Sequence, residues 1–180
     1  MNDRLLDRAA LRELLQELGD RLGRRGVRAN IYVVGGAAMA LQFDDRRATR
    51  DIDSVVISGH GPLMDEVRAM ARLYDLPGTW LNEQASMYVS GVRDAARSVI
   101  FEHPNLSVAA ASPKHLLAMK VMAARASDVP DLRTLLGILQ VCSLAEVLRI
   151  VSQVFPGTPV SDRARLILED LIDENRTSGD

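Results

Sequence analysis

Residues 31–57 read IYVVGGAAMALQFDDRRATRDIDSVVI, and this stretch decides the fold. The β-branched run at 31–34 stops at Gly35-Gly36, which predicts a strand followed by a tight turn. Residues 37–43 restart as a helix, a charged loop covers 44–50, and a second strand covers 51–57. This order brings a glycine turn and the Asp51-Ile52-Asp53 sequence close together.

Further helices and strands are predicted on both sides of this stretch. Leucines at helical spacing predict an amphipathic helix over 3–24, and a similar pattern predicts another over 63–75. Short strands are predicted at 86–92, 97–101 and 106–110. From Ser112, a predicted N-cap followed by Pro113, the chain is expected to be helical. Ser143 and Glu146 form a capping box for a helix to about residue 155, and the last helix covers 161–174.

The element order predicts an α/β (α+β) fold, a small mixed sheet flanked by helices with a helical C-terminal portion. We expect residues 1–111 to form the α/β core. Residues 112–180 are expected to form a helical subdomain packed on that core, so that the chain is one compact unit.

Composition limits the classes of function. The 180 residues carry a formal net charge of −2, which argues against a wholly basic nucleic-acid coat. The single cysteine, Cys142, excludes an internal disulfide, and we interpret it as a small buried residue on a helix. Because no apolar run approaches a membrane span and the N-terminus is too charged for a signal peptide, we expect a cytoplasmic protein without membrane contact.

Asp51 and Asp53 are the candidate chemical centre. Alternate residues of a strand share one face, so the two carboxylates point the same way, about 6–7 Å apart. Like charges at that spacing repel unless a cation lies between them, and Mg²⁺ binds one or two carboxylates together with phosphate oxygens. Gly35-Gly36 lets the backbone approach a phosphate. Either motif alone is more typical of a plain turn or a solvated strand end; their combination favours a nucleotide site.

Three segments together resemble a known family. The first is Gly35-Gly36-Ala37 followed by residues 47–53, RATRDID, and the second is residues 76–82, LPGTWLN. The third is residues 116–132, LLAMKVMAARASDVPDL. This combination resembles the minimal nucleotidyltransferases of the DNA polymerase β-like superfamily, and within it the branch of the AbiEii abortive-infection toxins and the MenT toxins.

The resemblance implies a nucleotidyltransferase-type sheet and a metal-dependent transfer of nucleotides from an NTP to an RNA acceptor such as the tRNA 3′ end. It implies a toxin of a toxin–antitoxin system, with a cognate antitoxin as partner. Asp51 and Asp53 would bind Mg²⁺ or Mn²⁺, and Lys120 and Asp131 would complete the catalytic set. The implied nucleotide-binding residues are Gly35, Gly36, Ala37, Arg47 and Lys120, and Arg125 is a further candidate phosphate partner.

Several of these residues and the overall function allow a second interpretation. Lys120 can be read as a helix residue that extends to solvent, and Asp131 with Asp128 as a helix cap. Many superfamily members have a third carboxylate on a neighbouring strand, and the nearest candidate, Glu102, fits poorly. The arginines at 24, 25, 28, 46, 47 and 50 form either a solvated face or an RNA-binding rim. Rival functions are transfer to a small molecule or a protein hydroxyl, and a degenerate nucleotide-binding or partner-binding module.

Overall fold

The computed structural model describes residues 5–44 and 48–177, with side chains up to residue 174. Arg46 and Arg47, two of the predicted basic residues, lie outside the described residues. The strands are β1 (Ala29–Val33), β2 (Ile52–Ser58), β3 (Leu81–Asn82), β4 (Ser98–His103) and β5 (Leu106–Ala110). The α-helices are α1 (Arg8–Arg24), α2 (Gly35–Gln42), α3 (His60–Leu73), α4 (Pro113–Ala123), α5 (Val129–Leu139), α6 (Leu144–Val154) and α7 (Asp162–Thr177).

The five strands form one mixed sheet in the order β3-β2-β1-β5-β4. The central strand β1 runs antiparallel to β2 and parallel to β5. β3 is parallel to β2, and β4 is antiparallel to β5. A mixed sheet with flanking helices confirms the predicted fold class.

Helix α1 forms for reasons visible in the sequence. Asp7 caps it, because one carboxylate oxygen accepts from the Ala10 N–H at 2.9 Å. The helix ends before Gly26, whose φ of +65° suits the left-handed region. Its leucines, spaced three and four apart, are fully buried at positions 11, 15, 18 and 22, and the helix packs against α2 and α3.

The predicted strand over 86–92 is wrong. Gln84–Tyr88 is a short 3-10 helix, and no strand follows it before β4 in this fully described part of the chain. The Ser90 hydroxyl donates to the Val154 carbonyl and accepts from the Val92 N–H at 2.9 Å. The bond to Val154 is long-range and the bond from Val92 is local, and together they give the segment partners other than a strand ladder.

The interpretation of Cys142 as buried is also wrong, since its side chain is exposed. Helix α5 ends at Gln140, which has a φ of +53°, and Ser143 caps α6. Cys142 therefore lies in the turn between two helices instead of on an apolar helix face.

Two compact units make up the chain. The first contains Met1–Met87 and Ala96–Ala111, and the second contains Tyr88–Ala95 and Ser112–Asp180. Within the second unit, α4 packs against α5 and α6, and α6 packs against α7.

No single helix in the described part of the chain is both long enough and apolar enough to cross a membrane. Ala126–Leu139 and Leu144–Val154, bent by 96° at their junction, pass that test jointly by length and composition alone.

Candidate active site

The carboxylate pair lies at the start of β2. Asp51 and Asp53 are half-buried, whereas Ile52 and Ser54 between and after them are fully buried. This alternation puts the two aspartates on one face of the strand and the buried residues on the other. Both carboxylates are therefore presented together at one end of the sheet.

The glycine turn lies directly against Asp53. Because β1 and β2 are antiparallel, with Val33 opposite Ser54, the end of β1 meets the beginning of β2. The Val34 N–H donates to the Asp53 carbonyl at 2.9 Å. Gly35 has a φ of +64°, and a Cβ added there would stand 3.2 Å from Asp53 Oδ2. Glycine is favoured at 35 both by its positive φ and by this close approach.

Helix α2 begins at the same turn. Its N-cap is Val34, and a valine side chain has no oxygen to accept from the N–H groups of the first turn. That first turn contains Gly35, Gly36 and Ala37. A helix start of this kind carries partial positive charge and favours an anion such as a phosphate.

Asn82 is a residue of this site that the sequence argument did not select. It lies on β3 opposite Asp53 in a parallel register and is 5% exposed. Its side-chain Nδ2 donates to Asp51 Oδ2 at 3.1 Å and to the Thr79 carbonyl at 3.0 Å. Its Oδ1 accepts from the Gln84 N–H at 2.8 Å. The signal was present in the Trp80-Leu81-Asn82 sequence, where a polar residue ends an apolar pair.

Trp80 and Thr49 support the strand start from two sides. The Ile52 N–H, between the two aspartates, donates to the Trp80 carbonyl at 2.7 Å. The buried indole of Trp80 donates in turn to the Val67 carbonyl of α3 at 3.0 Å. The Thr49 hydroxyl donates to the Asp51 carbonyl at 3.1 Å and ties the loop before Asp51 to the start of the strand.

Glu102 does not supply a third carboxylate to this pair. It lies on β4, which β1 and β5 separate from β2. Its carboxylate accepts from the Ser107 hydroxyl at 2.9 Å and pairs with Arg28 at 3.3 Å. Within residues 5–44 and 48–177, no group of three or more His, Cys, Asp or Glu side chains is arranged to hold a metal.

Lys120 and Asp131 lie together in the helical unit. Lys120 Nζ is 2.5 Å from Asp131 Oδ2 and 2.8 Å from Asp128 Oδ1, and both Lys120 and Asp131 are buried. The reading of Lys120 as a solvent-reaching helix residue is therefore wrong. The capping alternative is wrong for Asp128, whose side chain makes no cap hydrogen bond to α5.

Three of the described arginines of the predicted basic rim form ion pairs. Arg24 pairs with Glu17, Arg25 with Asp65 and Glu66, and Arg28 with Glu102. All three precede β1, and the start of β1 pairs with the end of β2, Asn30 opposite Ser58. These three arginines are thus at the opposite end of β2 from the aspartates. Arg125, in the helical unit, is exposed.

The chain belongs to a family of nucleotidyltransferases, since residues 9–167 match the family model described as "Nucleotidyltransferase of unknown function (DUF6036)". Among solved structures it is similar to an antigenic nucleotidyltransferase-like protein from Paracoccidioides brasiliensis, at 14% identity and a TM-score of 0.42. That similarity covers 97% of this chain and 92% of the other. A comparison with curated proteins finds no match.

Proposed function

We propose that the protein is a metal-dependent nucleotidyltransferase that moves nucleotides from an NTP to an RNA acceptor such as the tRNA 3′ end. We further propose that it acts as the toxin of a toxin–antitoxin system, in the AbiEii/MenT-like branch. The observation that carries the transferase proposal is the approach of Gly35 to Asp53, where a Cβ would stand 3.2 Å from Oδ2. This close approach places the Asp53 carboxylate beside the glycine turn at which helix α2 begins.

The donor set fits a hard divalent cation. Two carboxylates on one strand face, Asp51 and Asp53, are the protein ligands that Mg²⁺ commonly takes, the remaining ligands being waters and phosphate oxygens. Bound there, Mg²⁺ or Mn²⁺ would neutralise charge on the triphosphate during displacement. The first turn of α2, at Gly35, Gly36 and Ala37, would hold the phosphates through backbone N–H groups.

The reaction proposed is an in-line displacement. An acceptor hydroxyl oxygen forms a bond to the α-phosphorus of the NTP while the bond from that phosphorus to the bridging oxygen breaks. Pyrophosphate leaves with the bridging oxygen, and the hydroxyl proton passes to solvent or to a carboxylate. The contribution of Asp51, Asp53 and the helix start is position and charge neutralisation.

The RNA acceptor and the toxin role rest on the motif resemblance. Lys120 and Asp131 belong to the block that carries it, and we retain them as proposed site residues. Since Lys120 pairs with Asp128 and Asp131, a phosphate bound by Lys120 would compete with two carboxylates.

An acceptor panel tests the proposal. Wild type, Asp53→Ala and the surface control Asp65→Ala are incubated with radiolabelled NTPs and, separately, total tRNA, an aminoglycoside and a carrier protein. We expect label on tRNA with wild type and with Asp65→Ala, and none with Asp53→Ala. Label found only on the aminoglycoside or only on the carrier protein would show that the acceptor is that molecule and not RNA. Equal labelling by wild type, Asp53→Ala and Asp65→Ala would refute the proposed role of Asp53.

The degenerate module has one observation in its favour, because the strand next to the aspartates carries the amide Asn82 and not a third carboxylate. Magnesium-dependent nucleotide binding without transfer to any acceptor would support it.

Induced expression addresses the toxin role: growth should stop with wild type and continue with Asp51→Ala at equal protein levels, and co-expression of a cognate antitoxin should restore growth.

A further inference from the structure

The side-chain amide of Asn82 is held in one orientation by three backbone and side-chain partners. Its Oδ1 faces an N–H group, that of Gln84, at 2.8 Å. Its Nδ2 faces two oxygens, the Thr79 carbonyl at 3.0 Å and Asp51 Oδ2 at 3.1 Å. Exchanging oxygen and nitrogen would set oxygen against oxygen twice and N–H against N–H once, so the network admits a single orientation.

The same geometry explains why position 82 carries an amide. A carboxylate there would keep the bond from the Gln84 N–H. It would also bring an oxygen to contact distance of both the Thr79 carbonyl and Asp51 Oδ2. Because the side chain is buried, water cannot relieve these two repulsions. The surroundings of position 82 therefore favour a side chain that donates hydrogen bonds to Asp51 and to the Thr79 carbonyl.

We propose that Asn82 is a positioning residue for the metal-binding pair. By donating to Asp51 Oδ2, it fixes the rotation of that carboxylate relative to Asp53, with which it shares a strand face. This inference rests on the proposed function and deepens it. The cation is held by two protein carboxylates, and on the adjacent strand β3 a buried amide, not a third carboxylate, stands beside them. Hydrogen bonds that orient metal ligands contribute about tenfold or more to metal affinity.

Mn²⁺ serves as the probe, and Asn105 offers a matched control. Asn105 lies in the β4–β5 turn, and its Nδ2 donates to the Val27 carbonyl at 2.9 Å. It precedes β5, whose first residues pair with the start of β1, so it is at the sheet end away from Asp51. Asn105→Asp and Asn82→Asp make the same chemical change, one far from the carboxylate pair and one beside it.

Mn²⁺ affinity is measured by the electron paramagnetic resonance of the free ion, and Tm is measured with and without Mn²⁺. We expect Asn82→Ala to bind Mn²⁺ about tenfold more weakly than wild type. We expect Asn82→Asp to have a low Tm without cation and a larger Tm gain on Mn²⁺ addition than wild type. Asn105→Asp should have a lower Tm than wild type, but its Mn²⁺ affinity and its Tm gain on Mn²⁺ addition should equal those of wild type. Asp53→Ala should show no Tm gain on Mn²⁺ addition.

If Asn82→Ala does not fold, the near-isosteric Asn82→Asp carries the test. The inference is overturned if wild type binds no Mn²⁺, if Asn82→Ala binds it as wild type does, or if Asn82→Asp and Asn105→Asp show equal gains. The proposed nucleotidyl transfer is refuted by a different result from the one that refutes the role of Asn82. Wild type that shows the expected Mn²⁺ pattern but labels no acceptor leaves the role of Asn82 intact and removes the transferase activity.

Discussion

Gly35→Ala should damage the function of the protein more than its stability, and Gly26→Ala provides the comparison. Both glycines have a positive φ, +64° at Gly35 and +65° at Gly26. An L-residue in that conformation costs about 1–2 kcal/mol. For a chain of this length each kcal/mol lowers Tm by about 2–4 °C, so both variants should lose about 2–8 °C.

The two positions differ in what an added methyl group meets. Nothing lies within 4 Å of a Cβ at Gly26, whereas a Cβ at Gly35 stands 3.2 Å from Asp53 Oδ2. To regain an ordinary contact of about 3.5 Å or more, the carboxylate must retreat by a few tenths of an ångström. A misplacement of about 1 Å in a catalytic group costs about 100-fold, so we expect about a tenfold loss of transfer in Gly35→Ala.

Thermal unfolding and nucleotide incorporation at fixed Mg²⁺ check this pair. Gly26→Ala should retain wild-type incorporation despite its lower Tm. The reasoning is refuted if both variants lose activity equally, or if Gly35→Ala retains wild-type incorporation, because the contact with Asp53 would then have no consequence.

Two further predictions concern the helical unit. Lys120→Met should lower the free energy of unfolding by about 3–5 kcal/mol in urea, because it breaks the buried ion pair between Lys120 and Asp131 by removing one partner. Adding Asp131→Asn should recover part of the loss, and no recovery would contradict the ion-pair account. The Cys142 N–H, which donates to Glu146 at 3.0 Å, is the main cause that lowers the pKa of this carboxyl below its ordinary 4.5. A lowered folded-state pKa stabilises the fold above the unfolded-state value, and this contribution is lost as pH falls through the folded-state pKa. The Tm of wild type should therefore fall more steeply below about pH 4.5 than that of Glu146→Gln, and parallel curves would contradict it.

The sequence was sufficient for the parts of the site that depend on local pattern. The strand before Gly35 and the strand around Asp53 follow from β-branched runs and from alternation, and the turn follows from glycine. These signals act over a few residues, so tertiary packing had little to change. The N-caps at Ser112 and Ser143 are confirmed for the same reason: each hydroxyl accepts from the N–H three residues on.

Other features required the sheet order, which local pattern does not contain. Asn82 is 29 to 31 residues from the aspartates in sequence and adjacent to them through the pairing of β2 and β3. Glu102 lies on an equally plausible strand, yet β1 and β5 separate it from β2. The segment at 86–92 carries apolar residues suited to a strand, and the hydrogen bonds of Ser90 give it another conformation. In each case a long-range partner decided the outcome.

The position of the label distinguishes nucleotidyl transfer most directly from other uses of a nucleotide. Wild type and Asp53→Asn are incubated with total tRNA, Mg²⁺ and each NTP labelled either at the α- or at the γ-phosphate, with parallel reactions in a chelator. The account predicts Mg²⁺-dependent labelling of tRNA from α-labelled NTP, none from γ-labelled NTP, and none with Asp53→Asn. Labelling from the γ-phosphate, or α-labelling that persists in Asp53→Asn or in chelator, would contradict it.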